Sequence, residues 1–253
     1  MKTRQPLELA VRPMTIGDID AVAGWFDSID DVSFFDRNAV LPMPLEAMRE
    51  SWQADLDPSV KPPKALWYIA EEMSGRPAAI GGLRMINYIN GDAVLPAFVA
   101  RHLRARGVGI RLVAMLLDAA FTRLRLVRVT TYYREDNVIS ARLTSRAGFR
   151  EEGRVRKALL ANGCHHDMVV MGLLGEEWAV RREELQAELD GDTVLGFPGA
   201  GNEQYDWPRR TRADNVVSDL AARRERLEAA GRKGVAGFPD DQHPTAAELL
   251  NRF

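Results

Sequence analysis

Apolar and polar positions along residues 7–174 fall into runs that separate into strands and helices. Leu7 to Arg12 alternates with period two and reads as a strand. Thr15 stands where a helix cap belongs, with Asp18 in the first turn, and Ile19, Val22, Ala23 and Phe26 form an apolar face at helical spacing. Residues 27–64 carry prolines at 42, 44, 58, 62 and 63 and read as irregular, apart from a helix around Leu45 to Ala54. Leu66 to Glu71 and Pro77 to Ile86 read as strands joined at Ser74-Gly75, and Asn90-Gly91 leads into a third, Val94 to Val99. Ile110 to Leu124 reads as a long helix, Leu126 to Tyr133 as a strand, and Val138 to Ala147 as a helix stopped by Gly148. Two last strands, near Gly153 to Leu160 and Asp167 to Leu174, flank the turn pair Asn162-Gly163.

Hairpin-joined strands imply antiparallel pairing, and the strand–helix–strand passage around Ile110 to Leu124 implies one parallel crossover. The expected fold class is α/β, more narrowly an α+β mixed sheet with helices on both faces. Residues 176–253 change character: Glu177 to Leu189 reads as helical, a glycine-rich loop around Gly196-Phe197-Pro198 follows, and a polar helix is expected near Val216 to Ala230. The chain is therefore divided into a domain over 1–178 and a partly helical extension over 179–253. That extension reads as a segment packed by aromatic anchors such as Tyr205 and Trp207. The competing readings are a flap over a ligand site and an arm that joins two copies as a homodimer.

Composition narrows the class. The chain has 253 residues, 46% of them apolar, which is enough for a sizeable core. A net charge of −2 gives no general attraction to nucleic acid or membranes. Cys164 is the single cysteine, which excludes an intrachain disulfide and fits a reducing compartment. The start, Met1 to Pro6, lacks the apolar core of a signal peptide, and no apolar run approaches the roughly 20 residues of a membrane helix. These features predict a cytoplasmic protein with neither membrane nor nucleic-acid partner.

The candidate chemistry centres on Arg104-Ala105-Arg106-Gly107-Val108-Gly109-Ile110, between a strand and a helix. Glycines at a helix N-terminus bring unpaired N–H groups close to an anion, and the helix dipole favours the charge. A dinucleotide fingerprint needs a third glycine where Leu112 stands, and a P-loop needs Gly-Lys-Ser/Thr where the chain has Gly109-Ile110-Arg111. Cys164-His165-His166-Asp167 are adjacent and alternate faces in a strand, so they cannot converge on one ion, and no metal is expected.

The turn resembles the phosphate-binding pattern of the GNAT family, the Gcn5-related N-acetyltransferases, at Arg104, Gly107 and Gly109, with Val99 five residues before the arginine. Asn137-x-x-Ser140, Ala147-Gly148-Phe149 and Glu152-Gly153 are similar to the ribosomal-protein and small-amine branch, as is the opening Val11-Arg12-Pro13 with Asp18. The resemblance covers roughly residues 7–178. It implies a mostly antiparallel sheet of six to seven strands with splayed central strands, and acetyl-CoA as co-substrate with no metal. It implies that Phe98, Val99, Arg104, Ala105, Arg106, Gly107, Val108, Gly109, Ile110, Asn137 and Ser140 bind coenzyme A. Arg111 is a further candidate for added charge, and a backbone N–H of Phe98 or Val99 would meet the thioester oxygen. The implied activity is acetyl transfer to a primary amine, on a small cationic molecule or a protein, by direct attack in a ternary complex.

The chain departs from the family where proton transfer is concerned. Pro96 replaces a strand glutamate that many relatives carry, which leaves Glu71, Glu72 and Asp92 as candidate bases. Thr144 replaces a helix tyrosine that protonates the departing thiolate in many relatives. Tyr132 and Tyr133 could substitute, with Tyr133 kept as a catalytic candidate, but no acid is assigned, and proximity and orientation would carry most of the rate. The resemblance assigns the acceptor wall to Trp25, Phe26, Asp30, Phe34 and Phe35, in a stretch crowded with aspartates and opposed within residues 14–60 only by Arg37 and Arg49. Such an acidic mouth would draw in a cationic amine. Two alternatives stand beside this reading: a non-catalytic acyl-CoA sensor, and an acetylating toxin or regulator acting on aminoacyl-tRNA or ribosomal protein. The arginine cluster at 209, 210, 212, 223, 224 and 226 hints at the latter.

Overall fold

A computed structural model describes residues 6–26, 45–199, 202 and 205–209. Strands β1 (Leu7–Pro13), β2 (Leu66–Glu71), β3 (Pro77–Asn87), β4 (Asp92–Val94), β5 (Ala97–Val99), β6 (Arg128–Arg134), β7 (Arg150–Ala161), β8 (Cys164–Leu174) and β9 (Thr193–Gly196) build one nine-stranded sheet. The order is β7-β8-β6-β4-β3-β2-β1-β9, with β5 attached to β3. Two pairings are parallel, β4 with β6 and β1 with β9, and the others are antiparallel.

The helices are α1 (Ile19–Ala23, flanked by short 3₁₀ turns), α2 (Leu45–Leu56), α3 (Val108–Asp118), α4 (Val138–Ala147) and α5 (Gly175–Glu188). α1 and α2 cover one face of the sheet, where Ile19, Val22, Phe26, Met48 and Trp52 bury against Trp67, Ile69, Ile80 and Phe98. α3 lies on the other face in the larger core, with Leu112 and Leu116 fully buried. Nine of its eleven residues are buried, which is why its sequence reads as continuously apolar rather than amphipathic.

Two strand expectations need correction. The run Val94 to Val99 is not one strand, because it breaks at Leu95-Pro96 into β4 and β5. Thr193–Gly196, read as loop, is β9. It pairs parallel with β1, and Leu195 exchanges hydrogen bonds with Trp207 on its other side. Strands added by this split and by β9 bring the sheet beyond the six or seven expected. The expected boundary at 178 falls inside α5, and Trp178 and Trp207 pack in the same core with ring centroids 5.7 Å apart.

α1 is anchored by charge. Asp18 accepts from the Thr15 N–H and hydroxyl, both at 2.8 Å, and forms a forked pair with Arg12 at 2.8 and 2.6 Å. Arg12 also donates Nη2 and Nε to Glu71, at 2.7 and 3.1 Å, and Nη1 to Pro13 O at 3.1 Å. Burial alone would raise the Asp18 carboxyl, but the bonds and charge of Arg12, with Thr15, outweigh it and hold the pKa below the ordinary 3.8. A depressed carboxylate pKa stabilises the fold above the unfolded-state pKa, and this is lost as pH falls through the folded value. Asp18→Asn is expected to lower the unfolding free energy by about 1–3 kcal/mol at neutral pH. In urea titrations the deficit should shrink as pH drops below 3.8; a deficit independent of pH would argue against the ionic clasp.

Candidate active site

The break at Pro96 opens a wedge in the sheet. Up to that point β4 and β6 run as a parallel ladder, extended by Leu95 N–H to Thr130 O at 2.9 Å. Past Leu95 that ladder ends, with the fixed φ of Pro96 at the turning point. The chain turns to β3 instead, where Gly82 N–H donates to Pro96 O at 3.0 Å and Ala100 N–H to Ala78 O at 2.9 Å. A Cβ at Gly82 would overlap Leu66 O, and one at Gly81 would crowd Leu116 and Leu112 at 2.9 and 3.0 Å. The glycine pair thus lets neighbouring strand and α3 close around the break.

Register decides which β5 groups face the wedge. Phe98 lies opposite Ile80, between the bonded positions 96 and 100. Bonding direction alternates along an antiparallel strand, so Phe98 turns its N–H to β3, while Ala97 and Val99 turn theirs to the open edge. Of Phe98 and Val99, the two residues read as donors, only Val99 turns its N–H to the open edge, and Ala97 turns its own there as well. Ala97 was missed because the alternation is set by partners on β3. Side chains sort the other way: Phe98 packs with α1, and Val99 with the α3 side.

At the end of β5 the chain enters the glycine turn. Ala105 and Gly107 both have positive φ, +60° and +75°. Gly107 is the N-cap of α3 in the left-handed region, and a Cβ there would overlap Arg111 Nη1. The unpaired N–H groups of the first turn of α3, from Val108, Gly109 and Ile110, open at this point. Arg104 Nε donates to Val99 O at 3.1 Å, and its guanidinium lies 5.2 Å from the Phe98 ring centre. Arg111 is not turned toward this concavity: it is buried and donates to Gly107 O and to Asp190. Gly109 has ordinary space, with an added Cβ 3.5 Å from Val99 Cγ2 and 3.6 Å from Leu143.

α4 begins across from β5. Asn137 caps it by accepting the Ser140 N–H at 3.0 Å. Tyr133, on β6 beyond the break, lies near the side chain of Thr144, which donates to Ser140 O at 2.9 Å. Burial, then the Glu151 charge, raises the Tyr133 pKa, so the phenol stays protonated at neutral pH. Tyr133 thus brings a hydroxyl to the helix position where Thr144 stands.

The candidate bases are not brought to the wedge. Glu71 is clasped by Arg12. Asp92 lies at the far end of β4, opposite Arg128 in the strand register, five residues and about 16 Å along the chain from Ala97. Glu72 holds His102 Nε2 at 2.9 Å. On the α1 face, a cavity of about 370 Å³ is lined by Trp25, Phe98, Arg76, Arg101 and His102, with Trp25 stacked 5.7 Å from Phe98. Phe26 is buried beside it. Asp30, Phe34 and Phe35 lie outside the described residues, as do Arg37 and the expected helix near Val216 to Ala230. The acidic stretch is less bare than its sequence: Asp18 meets Arg12, Asp20 meets Arg49 at 2.6 Å, and Asp55 meets Arg84 at 2.6 Å. Among the described residues, no cluster of His, Cys, Asp and Glu is arranged to hold a metal, and no helix is long and apolar enough to cross a membrane.

Residues 8–150, more than half of the chain, match the family model described as the acetyltransferase (GNAT) domain. The chain belongs to the GNAT acetyltransferase family. One relative of this GNAT domain is YdaF of Bacillus subtilis (strain 168), provisionally named a ribosomal N-acetyltransferase; it is 33% identical over 96 residues, 38% of this chain. That match spans 52% of YdaF, so about half the relative's length is compared. A spermidine N(1)-acetyltransferase of Vibrio cholerae is 26% identical over 116 residues, 46% of this chain and 67% of the relative. The crystal structure of a V. cholerae spermidine N-acetyltransferase, solved with CoA and spermine, superposes with a TM-score of 0.59 at 20% identity, over 68% of this chain and 98% of that one. It shares the fold.

The GNAT turn fits the pyrophosphate of coenzyme A in one testable respect, its demand for glycine at one position and not the other. Gly107→Ala imposes a left-handed alanine that costs about 1–2 kcal/mol and is expected to weaken coenzyme A binding about tenfold or more. Gly109→Ala should change it less than about twofold, since the methyl meets only ordinary contacts. Calorimetric titration with coenzyme A distinguishes the two; equal losses would sink the assignment.

Proposed function

We propose that this chain is an N-acetyltransferase that moves the acetyl group of acetyl-CoA to a primary amine by direct attack in a ternary complex. The observation that carries the proposal is the free edge of β5 leading into the Gly107 turn. It joins a strand-like hydrogen-bonding edge to an anion cradle, as a ligand with an amide arm and a pyrophosphate requires. Acetyl-CoA supplies the acyl group as an activated thioester. Backbone N–H groups from Arg104 to Ile110 receive the pyrophosphate, and Ala97 and Val99 align the arm, with Asn137 and Ser140 on the opposite wall. A β5 N–H stabilises the charge that develops on the thioester oxygen.

The amine gives its proton to solvent in this reading, because Glu71 is committed to Arg12 and Asp92 stands away from the wedge. Tyr133 hands its proton to the departing sulfur and regains one from water, with Thr144 near the phenol. The relatives' names, one spermidine and one ribosomal, support an amine acceptor and allow both a small molecule and a protein. The arginine partners of Asp18, Asp20 and Asp55 weaken the case for acidic steering, and Trp25 and Phe98 remain as the described aromatic wall. The single cysteine supports a cytoplasmic setting.

Incubation with acetyl-CoA and a panel of polyamines, aminoglycosides and basic peptides tests the activity. Turnover of at least one amine is expected; tight acetyl-CoA binding with no turnover would select a sensor instead. With solvent as base, log kcat/KM should rise with pH at a slope of about one and level at the acceptor's own pKa. Two acceptors of different pKa should therefore level at different pH; a common plateau would reveal an enzymic base. Tyr133→Phe is expected to lower kcat about a hundredfold while coenzyme A affinity holds. An unchanged kcat in a chemistry-limited assay would remove Tyr133 from the mechanism.

A further inference from the structure

The C-terminal extension reaches the glycine turn from behind. Thr193, the first residue of β9 and 2% exposed, donates its hydroxyl to Arg106 O at 2.8 Å. Arg111, 3% exposed, donates Nη1 to Gly107 O at 3.1 Å. Its Nη2 extends to the Asp190 carbonyl at 2.7 Å and carboxylate at 2.9 Å. The segment is fixed in turn to the N-terminal strand, where Leu7 N–H donates to Asp192 O at 2.8 Å and β9 pairs with β1.

These contacts engage two successive carbonyls of the turn. In a planar trans peptide, the C=O of one residue and the N–H of the next point in opposite directions. Arg106 O shares a plane with Gly107 N–H, and Gly107 O shares one with Val108 N–H. Drawing both oxygens into the body directs both N–H groups to the opposite side. The turn does not secure this orientation alone: Gly107 is free to rotate, and Ala105 sits in a left-handed conformation that costs an L-residue energy. A flipped plane would present a carbonyl oxygen where an anion needs a donor.

We propose that Thr193, Asp190 and Arg111 are positioning residues for coenzyme A, so that the C-terminal extension completes the pyrophosphate cradle by holding its carbonyls inward. This rests on the reading of the Gly107 turn as that cradle. Thr193 and Asp190 act through backbone orientation and touch no ligand. Arg111 also leaves a buried cation directly behind the turn.

The test uses the full chain and two acyl donors, acetyl-CoA and acetyl-pantetheine, which carries the arm but lacks the pyrophosphate. Thr193→Val removes one hydroxyl at nearly constant shape, and Asp190→Ala alters a side chain that is 71% exposed, so it leaves the core untouched. Each is expected to raise the KM for acetyl-CoA and the Kd for coenzyme A about tenfold, the worth of one well-placed hydrogen bond. KM for acetyl-pantetheine should stay within about twofold, and Thr193→Ser should restore acetyl-CoA. Unchanged coenzyme A affinity in both variants overturns the proposal. So do equal rises for both donors, which would mean a merely structural role. Failure of the unaltered protein to bind coenzyme A would instead remove the cradle reading itself.

Discussion

The architecture depends on the point where the central ladder ends. At Pro96, whose ring fixes φ, the pairing of β4 with β6 stops and only the pairing of β5 with β3 continues among the described strands. Before it, Leu95 N–H still reaches Thr130 O, and after it β5 belongs to β3 alone among the described strands. The division gives β5 an edge that no described strand pairs, on which Val99 O is met by Arg104 Nε, while unpaired backbone groups are otherwise costly. It also gives the two faces a common border. Phe98 meets the aromatic cluster of α1, and Val99 meets Gly109 and Leu143 on the α3 side. A ligand lying along that edge would be reachable from the opposite face at one point.

The second organising element is α3, and it is held at both ends by the chain beyond residue 174. At its C-terminal end Asp118 accepts from Trp178 Nε1, Trp207 Nε1 and Arg182, all between 2.6 and 3.0 Å. At its N-terminal end Arg111 is fastened to Asp190. A buried helix with few polar side chains can slide or rotate at modest cost, and two hydrogen-bonded ends remove that freedom. The extension therefore does more than cover a surface: its sheet strand and its ties to α3 make it part of the frame that carries the turn.

What could be read in the sequence was what short spans decide. The Asn137 cap, the Gly148 stop with φ +97°, the Asn162-Gly163 turn and the Thr15–Asp18 pair are each closed within four residues, and each formed as its local chemistry requires. The family motif was legible for the same reason, since strand, turn and helix adjoin. What was hidden depended on distant partners. β9 is four residues long and has nothing in it that separates strand from loop until β1 is known to lie beside it. Arg111 looked available for phosphate because Asp190 is 79 positions away. Asp18 and Asp55 looked unopposed because Arg12 and Arg84 fall outside residues 14–60. The exchange of Phe98 for Ala97 at the open edge rests on β3 register, which no reading of β5 alone supplies.

The two departures from the family pattern both concern proton transfer. A glutamate at position 96 would place a carboxylate at the break, and proline leaves that place without one. Thr144 makes the converse exchange: the helix keeps a short hydroxyl, and the phenol arrives from β6, where Tyr133 stands past the break and free of β5. A phenol on a strand is restrained by its ladder, here to Val169, which would suit a group that must meet one sulfur position repeatedly on the proposed mechanism. On the proposed mechanism the fixed chemistry would lie on the leaving-group side, with the amine arriving already deprotonated from solvent. Selection among acceptors would then rest on shape and on the free-amine fraction rather than on a carboxylate in the wedge.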